Sequence, residues 1–294
     1  MPRRADFVII GAMKCATSTL RAQLAQQPGL YMSEREANFF SNDDICARGV
    51  GWYESQFDGA HADQICGESS THYTKLPTYP RTAERMVECL PHAQLIYVMR
   101  HPVDRLVSQY IHEWSERIID VPIEQAIEQR PELVAYSRYA MQLEPFLKSY
   151  GQEKILPVFF DQLRRRPQRE LERICRFVGY AGPVRWYEQP PWNVSSARMR
   201  KSRLRDAVVE FSPLVKLRRM LVPKSIRTRI RQLWTMRERP QISEIRLRQL
   251  VEVFDEDLAR VGQWLGLELS CENFRNVTAG ALLGPDWAKN LHIG

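Results

Sequence analysis

One segment near the start of the chain, residues 6–20, constrains the fold more than any other. Its sequence, Asp-Phe-Val-Ile-Ile-Gly-Ala-Met-Lys-Cys-Ala-Thr-Ser-Thr-Leu, predicts a buried strand over residues 7–10, a tight turn, and a helix that begins near Thr17. Free amides and the positive end of the dipole at the start of a helix attract anions. Lys14 adds a full charge, and the side chains of residues 17–19 add hydroxyl donors. The segment therefore predicts a phosphate-binding loop.

The position of Lys14 distinguishes this loop from the one found in ordinary ATPases and kinases. A Walker A loop reads Gly-x-x-x-x-Gly-Lys-Ser/Thr, with the lysine directly before the hydroxyl that holds magnesium. Here Cys15 and Ala16 follow Lys14, and the loop contains no Gly-Lys pair. Cys15 is interpreted as a small residue in a tight turn, in preference to a nucleophile. A strand–turn–helix unit with a surface lysine is the other interpretation of the segment.

The loop resembles the 5′-phosphosulfate-binding loop of sulfotransferases that use 3′-phosphoadenosine 5′-phosphosulfate (PAPS). In that family a strand is followed by Lys-Gly/Ser/Cys-Gly/Ala-Thr-Ser/Thr-x-Leu. The resemblance implies that the donor binds at Lys14, Cys15, Ala16, Thr17, Ser18 and Thr19. It also implies a catalytic role for Lys14, and it implies no metal.

A second segment, residues 94–108, matches the family's other nucleotide motif. Residues 94–100 form the clearest buried strand of the sequence, and Arg100-His101-Pro102 follows at its end. An arginine there could simply cap the sheet through a carboxylate. The resemblance implies instead that Arg100, together with Ser108 on the next helix, holds the 3′-phosphate of PAPS. Two motifs in the right order, 86 residues apart from Lys14 to Arg100, are more specific than either alone.

Ionisable residues follow a short strand predicted at residues 30–32. The segment Ser-Glu-Arg-Glu-Ala-Asn-Phe-Phe (residues 33–40) resembles Lys-Glu-Pro-His-Phe-Phe of the heparan-type and related bacterial sulfotransferases. The resemblance implies that Glu36 is the catalytic base and that Arg35 orients the sulfonate or the acceptor. Asn38 replaces the family histidine. From the residues alone, Glu36 could equally be a surface carboxylate paired with Arg35.

The segment over residues 65–73 predicts a strand that leads into a loop. It resembles the family's Gly-Glu-Lys/Ala-Ser/Thr-x-x-Tyr segment, which lines the acceptor site, and Ser69 stands where some relatives have a lysine. The resemblance implies acceptor contacts for Ser70, His72 and Tyr73. His72 is a candidate second base or a solvent-facing loop residue.

Positive charge is concentrated in residues 198–240. This segment holds 14 Lys and Arg against 3 Asp and Glu, leaving 28 against 32 in the rest of the chain. Contact with an anionic acceptor or a membrane surface would explain the charge, and so would a solvated helical face. No nucleic acid is expected as a partner. The resemblance implies a closing loop over the nucleotide here, with Ser195 and Arg198 as ligands, although both residues also suit a helix cap and its first turn.

Composition and cysteine spacing favour a soluble cytoplasmic protein. The chain has 294 residues, 44% of them hydrophobic, and six scattered cysteines without a Cys-x-x-Cys pair. A zinc site or a disulfide framework is therefore not expected. The location that we predict is the cytoplasm, with peripheral contact at the inner membrane face as an option.

The predicted fold is a single α/β domain over residues 1–294, like that of P-loop nucleotide hydrolases. It has a mostly parallel sheet of four or five strands with helices on both faces, a core over residues 5–200, and a helical extension over residues 200–294. Ser243 is expected to cap an amphipathic helix that runs to residue 265, with six apolar residues inward: Leu247, Leu250, Val251, Phe254, Leu258 and Val261.

The predicted function is transfer of the sulfuryl group from PAPS to a hydroxyl or amine of a carbohydrate, glycolipid or small metabolite. The product of the donor would be adenosine 3′,5′-bisphosphate (PAP). Two other functions are consistent with the residues: an ATP-dependent kinase with a P-loop-like fold, and a non-catalytic protein that binds a polyanion. The sequence does not indicate an oligomeric state.

Overall fold

The computed structural model describes residues 3–188 and 239–281, and within them a five-stranded sheet. All neighbouring strands are parallel, in the order β2-β3-β1-β4-β5. The strands are β1 (Phe7–Gly11), β2 (Leu30–Met32), β3 (Ile65–Ser69), β4 (Gln94–Met99) and β5 (Ile155–Phe159). The predicted sheet is confirmed, and it is parallel throughout.

Helices flank this sheet, and their bounds follow the chain order. They are α1 (Thr17–Leu24), α2 (Asp43–Cys46), α3 (Val50–Glu54), α4 (Thr82–Cys89), α5 (Pro102–Ser115), α6 (Ile123–Gln129), α7 (Glu132–Ala135), α8 (Tyr139–Tyr150), α9 (Phe160–Arg165), α10 (Pro167–Phe177), α11 (Glu244–Leu265) and α12 (Phe274–Gly280). Short 3₁₀ turns occupy Ser55–Phe57 and Gln152–Lys154.

The central strands explain why the fold is layered. Every residue of β1 is buried, and so is every residue of β4 after Gln94, so both faces of the sheet are covered. Continuous apolar runs of this kind belong to parallel sheets with helices on both sides. Pro157 lies inside β5, which is an edge strand in the described part of the sheet, so the missing N–H of the proline is tolerated.

Two connections between these elements are compact. Residues 43–63 contain α2, α3 and a 3₁₀ turn. Helix α1 ends at Leu24, before Gly29, whose missing side chain leaves room for the ring of Tyr180.

The C-terminal helix α11 begins and ends as its sequence indicates. The Ser243 side chain accepts from the Arg246 amide (3.4 Å), and Gly266 ends the helix in the left-handed conformation. Four of the six expected inward residues are buried: Leu250, Phe254, Leu258 and Val261. The prediction for Leu247 is wrong, because this residue lies on the exposed side of the helix, and Val251 is only half-buried.

Helix α11 also caps another helix. Helix α8 has no side-chain cap of its own, and its amides at Ala140 and Met141 donate to the buried carboxylate of Asp257 on α11 (2.8 and 3.1 Å). Since four N–H groups at the start of any helix lack helical partners, Asp257 satisfies two of them and complements the helix dipole. Residues 239–281 are therefore packed into the same body as the sheet.

Within the described ranges, no helix is both long and apolar enough to cross a membrane. All six cysteines carry free thiols.

Candidate functional site

The carboxyl ends of the parallel strands bring the predicted motifs to one edge of the sheet. The loops after β1 and β4 leave neighbouring strands in opposite directions, which is where open α/β sheets bind ligands. The Lys14 loop follows β1, the Glu36 loop follows β2, a turn follows β3, and Arg100 follows β4.

The Lys14 loop has a strained backbone and a free helix start. Lys14 and Ala16 both have left-handed φ angles (72° and 66°), which cost about 1–2 kcal/mol each for residues with a side chain. Ala16 is the N-cap of α1 and offers no side-chain cap, so the first amides of α1 point out of the helix without a helical partner. This arrangement is suited to an anion.

Side chains around the loop differ in their access to solvent. Ser18 is exposed, Lys14 and Thr19 are half-buried, and Thr17 is buried. Cys15 is fully buried, its thiol donates weakly to the Met13 carbonyl (3.8 Å), and burial raises its pKa to about 11. The thiol is therefore protonated at neutral pH and is no nucleophile, as the sequence suggested.

Arg100 reaches the Lys14 loop from the neighbouring strand. Its Nη1 donates to the Lys14 carbonyl (3.3 Å), and its guanidinium lies 4.8 Å from the centre of the Phe160 ring. Its backbone is held by Tyr139, whose hydroxyl accepts from the Arg100 amide (3.1 Å) and donates to its carbonyl. The two nucleotide motifs, 86 residues apart, therefore meet at one place.

The structure does not support the alternative in which Arg100 pairs with a carboxylate and caps the sheet. Within the described ranges no carboxylate lies within 4.0 Å of its guanidinium, and its buried Nε has no hydrogen-bond partner. Ser108 lies on α5, two helical turns further on, and is 5% exposed.

Glu36 is exposed, and the turn after β3 holds it. Its Oε2 accepts from the hydroxyl (3.2 Å) and the amide (3.4 Å) of Thr71. Arg35 is also exposed and forms no ion pair with Glu36 within 4.0 Å, so the predicted surface pair is absent from this part of the chain. The nearby positive charges are Arg21, which donates to the Ser33 carbonyl, and Lys75.

A buried carboxylate, Glu68, supports the Glu36 loop from behind. It is 0% exposed and accepts hydroxyl hydrogen bonds from Tyr53 (2.7 Å), Tyr73 (2.7 Å) and Ser70 (2.5 Å). Because Ser70 gives its proton to Glu68, its oxygen is oriented to accept from the Asn38 amide (3.0 Å). The end of β3 thus holds the backbone of Asn38, which has a left-handed φ of 51°. Burial raises the pKa of Glu68 above its ordinary value.

Replacing Glu68 with glutamine is expected to lower the free energy of unfolding by about 1–3 kcal/mol, because the amide cannot accept all three hydroxyl protons and leaves a buried donor unpaired. Urea unfolding measures the change. Glu88→Gln removes the same charge from the exposed side of α4 and should leave stability within about 0.5 kcal/mol of the native value. Equal effects of the two substitutions would contradict the assigned role of Glu68.

Two residues that the sequence predicted as acceptor contacts are turned into the core. Ser70 and Tyr73 are fully buried, and both hydroxyls donate to Glu68. Their contact with an acceptor stays a prediction that this geometry does not support. His72 does lie near the site, half-buried and stacked on the Tyr79 ring at 5.4 Å. Burial lowers its pKa to about 4, so its imidazole is neutral at neutral pH.

Other predictions fall outside the described residues. Ser195, Arg198 and nearly all of the basic segment lie there. The described end of that segment includes Arg239, which pairs with Asp104 on the first turn of α5, and Arg275 on α12 pairs with the same carboxylate (2.6 Å).

The sequence reasoning overlooked Glu68, Lys75 and Arg21 as parts of the site. The best indication was available for Glu68, since a carboxylate inside an otherwise apolar strand requires buried donors, and tyrosines occur nearby at 53 and 73.

Comparison with known proteins adds to this geometry. A sequence model described as "Sulfotransferase family" matches residues 58–183, a span that includes Arg100 and begins after the Lys14 and Glu36 loops. The crystal structure of a sulfotransferase from Alicyclobacillus acidocaldarius is 26% identical, with a TM-score of 0.56, over 76% of this chain and 99% of that one. Residues 58–183 thus match the sulfotransferase family model, and most of the chain is similar in structure to a bacterial sulfotransferase.

Curated relatives of the chain include enzymes that are named for heparan sulfate. The chain is 28% identical over 193 residues to heparan sulfate glucosamine 3-O-sulfotransferase 5 of Mus musculus, covering 61% of this chain and 55% of that protein. It is 25% identical over 197 residues to a bifunctional heparan sulfate N-deacetylase/N-sulfotransferase of Caenorhabditis briggsae, covering 59% and 22%. The chain thus spans about half or less of the length of these two sulfotransferases.

Proposed function

We propose that this chain transfers the sulfuryl group of PAPS to a hydroxyl or amine of an acceptor and releases PAP. The observation that carries the proposal is the contact between Arg100 and the Lys14 carbonyl. It brings a guanidinium to the same edge of the sheet as a helix start that is free to bind an anion. A nucleotide with phosphates at both its 5′ and 3′ positions requires two such groups.

The residues present fit this donor. The free amides of α1 and the hydroxyls at residues 17–19 suit the 5′-phosphosulfate, together with the ammonium of Lys14. Arg100 suits the 3′-phosphate, with Ser108 on the following helix as the second ligand, because a guanidinium binds phosphate by a charged fork. The unpartnered Nε of Arg100 supports this assignment, since a buried donor without a partner is rare unless a ligand supplies one.

The donor supplies the sulfuryl group, and the chain positions the reacting atoms and stabilises charge. Lys14 and the loop amides neutralise the negative charge that develops on the departing 5′-phosphate. Glu36, oriented by Thr71, accepts the proton of the acceptor. Arg35, beside it, orients the sulfonate or the acceptor.

A saccharide is the acceptor class that the relatives favour. One matched relative is named for 3-O-sulfation of a glucosamine and the other for N-sulfation, so the proposal includes both a hydroxyl and an amine as nucleophiles.

Calorimetry with PAP, ATP–magnesium and AMP tests the donor. We expect PAP to bind most tightly. We expect Arg100→Ala to lower the affinity for PAP by about 10- to 100-fold and to leave the affinity for AMP nearly unchanged, because of these two only PAP has a 3′-phosphate. Arg176→Ala, which removes an exposed arginine of α10, is the matched control.

Three results would oppose the proposal. Preference for ATP–magnesium would favour a kinase. Absence of nucleotide binding, combined with steeply salt-dependent binding of heparin, would favour a polyanion-binding protein. An equal loss of affinity for PAP and for AMP in Arg100→Ala would contradict the assignment of Arg100 to the 3′-phosphate.

A further inference from the structure

The turn after β3 holds Lys75 in a fixed place. On one side of it, the Thr74 hydroxyl donates to the Ile10 carbonyl (2.8 Å) at the end of β1. On the other side, the side chain of Gln142 on α8 accepts from the Leu76 amide (2.7 Å) and donates to the Leu76 carbonyl (3.0 Å). The backbone is therefore tied to the sheet just before Lys75 and to a helix just after it.

The same turn lies directly against the strand that leads into the Lys14 loop. A Cβ atom at Gly11 would lie 2.0 Å from the Thr74 hydroxyl oxygen, so only glycine allows this approach. Thr71, at the start of the turn, binds Glu36. Lys75 thus lies on a rigid turn that contacts both β1, which leads into the Lys14 loop, and Glu36, the proposed base.

The side chain of Lys75 is half-buried, and its ammonium has no anionic partner. It lies 5.8 Å from the centre of the Tyr136 ring, a cation–π contact. In the part of the chain that the structure describes, it forms no hydrogen bond and no ion pair within 4.0 Å. Glu36 and Glu113 attract it over a longer distance, and Arg105 repels it.

A partly desolvated cation without a partner is unfavourable, and a ligand anion would relieve it. Burial lowers the pKa of Lys75 to about 8, so the ammonium form predominates at pH 7. Glu36 is exposed and attracts Lys75 without forming an ion pair within 4.0 Å, so neither group neutralises the other by direct contact. The acceptor of the proposed reaction must approach Glu36 at this place.

We propose that Lys75 is an acceptor-binding residue whose ammonium pairs with an oxyanion of the acceptor, a carboxylate or a sulfate ester, beside the atom that Glu36 deprotonates. The proposal rests on the proposed function, because it takes Glu36 as the base. It narrows the acceptor to an acidic molecule and makes Lys75 a determinant of specificity.

Three matched sugars test the proposal by NMR titration of the PAP-saturated protein. They are methyl β-glucoside, methyl β-glucuronide and methyl β-glucoside 6-sulfate, which differ only in the group at C6. We expect at least one of the two anions to bind about tenfold more tightly than the neutral glucoside, since a hydrogen bond to a charged group contributes about this much to the binding free energy. The better anion identifies the group that the acceptor carries.

Lys75→Met should abolish this preference without changing the affinity for the neutral glucoside, and Lys75→Arg should keep it. Lys148→Met removes the same charge from an exposed part of α8 and should behave as the wild type. Unchanged preference in Lys75→Met, or no preference in the wild type, overturns the proposal. PAP binding is measured first: its failure in the wild type refutes the donor assignment, and the sugars are then titrated without PAP.

The pH dependence gives a measurement that a merely structural role of Lys75 would not move. The preference for the anion should be full below pH 7 and should fall as the pH rises through about 8, because the ammonium then loses its proton. The other charged or titratable groups that face Lys75 are Glu36, Glu113, Arg105, His72 and Tyr136. Burial lowers the pKa of His72 to about 4 and raises the pKa of Tyr136 above its ordinary value, so both rings stay neutral between pH 7 and 9. Lys75→Arg should keep its preference to pH 9. A wild-type preference that is flat over this range contradicts the proposal.

Discussion

Replacing Lys14 with alanine is expected to lower the turnover number for sulfuryl transfer from PAPS by about 10²- to 10³-fold. The reason is that Lys14 contributes the full positive charge of the loop at the start of α1, where the departing 5′-phosphate gains negative charge. This charge grows in the transition state, so the loss should appear mainly in kcat. The left-handed backbone of Lys14 also fixes the direction in which its side chain leaves the loop.

Transfer from radiolabelled PAPS to heparan sulfate, the acceptor named for the relatives, is the first assay for this variant. Lys154→Ala is the matched control. Its ammonium donates to the Pro91 carbonyl at an exposed site just before β4 and β5 begin, whereas Lys14 and Arg100 follow the ends of their strands. PAP affinity should fall less than kcat. A Lys14→Ala enzyme that keeps kcat within about threefold of the wild type would exclude Lys14 from the chemical step.

Replacing Glu36 with glutamine is expected to lower kcat by about 10²- to 10⁴-fold and to leave PAP affinity within about twofold. Glutamine can still accept from Thr71 through its carbonyl oxygen, so the loop should keep its shape. It cannot accept a proton. The separation of kcat from nucleotide affinity therefore distinguishes a base from a residue that merely supports the loop.

Glu34→Gln is the control for this substitution. Glu34 is exposed, lies two residues earlier in the same loop, and loses the same charge. Its kcat should stay within about twofold of the wild-type value. Comparable losses in both variants would mean that the charge of the loop matters and that proton transfer to Glu36 does not. A near-normal kcat in Glu36→Gln would contradict the assignment of Glu36 as the catalytic base.

The sequence predicted the parts of the fold that depend on local pattern. Continuous apolar runs identified β1 and β4, and Ser243 identified the start of α11 because an N-cap is a local feature. Residue spacing also placed Lys14 and Arg100 at strand ends. What it could not give was the contact between them, which depends on β1 and β4 being neighbours in the sheet.

The burial of two predicted acceptor residues was not foreseen, for a different reason. Ser70 and Tyr73 are polar residues after a strand, and such residues usually face solvent or ligand. Here they turn inward because Glu68 is buried and needs hydroxyl donors. Lys75 was overlooked because its position depends on hydrogen bonds from the turn to β1 and α8, which join residues 64 and 66 positions apart in sequence.

The capping of α8 by Asp257 has a consequence for how the protein is made. The first amides of α8 wait for a carboxylate that is 117 residues later in the chain. At about 5–20 residues per second, a ribosome needs roughly 6–23 s to supply it. During that time the start of α8 has no carboxylate from α11. The sheet and its loops can therefore assemble on the ribosome, but the start of α8, next to Arg100, reaches its final form only after residue 257 has been made.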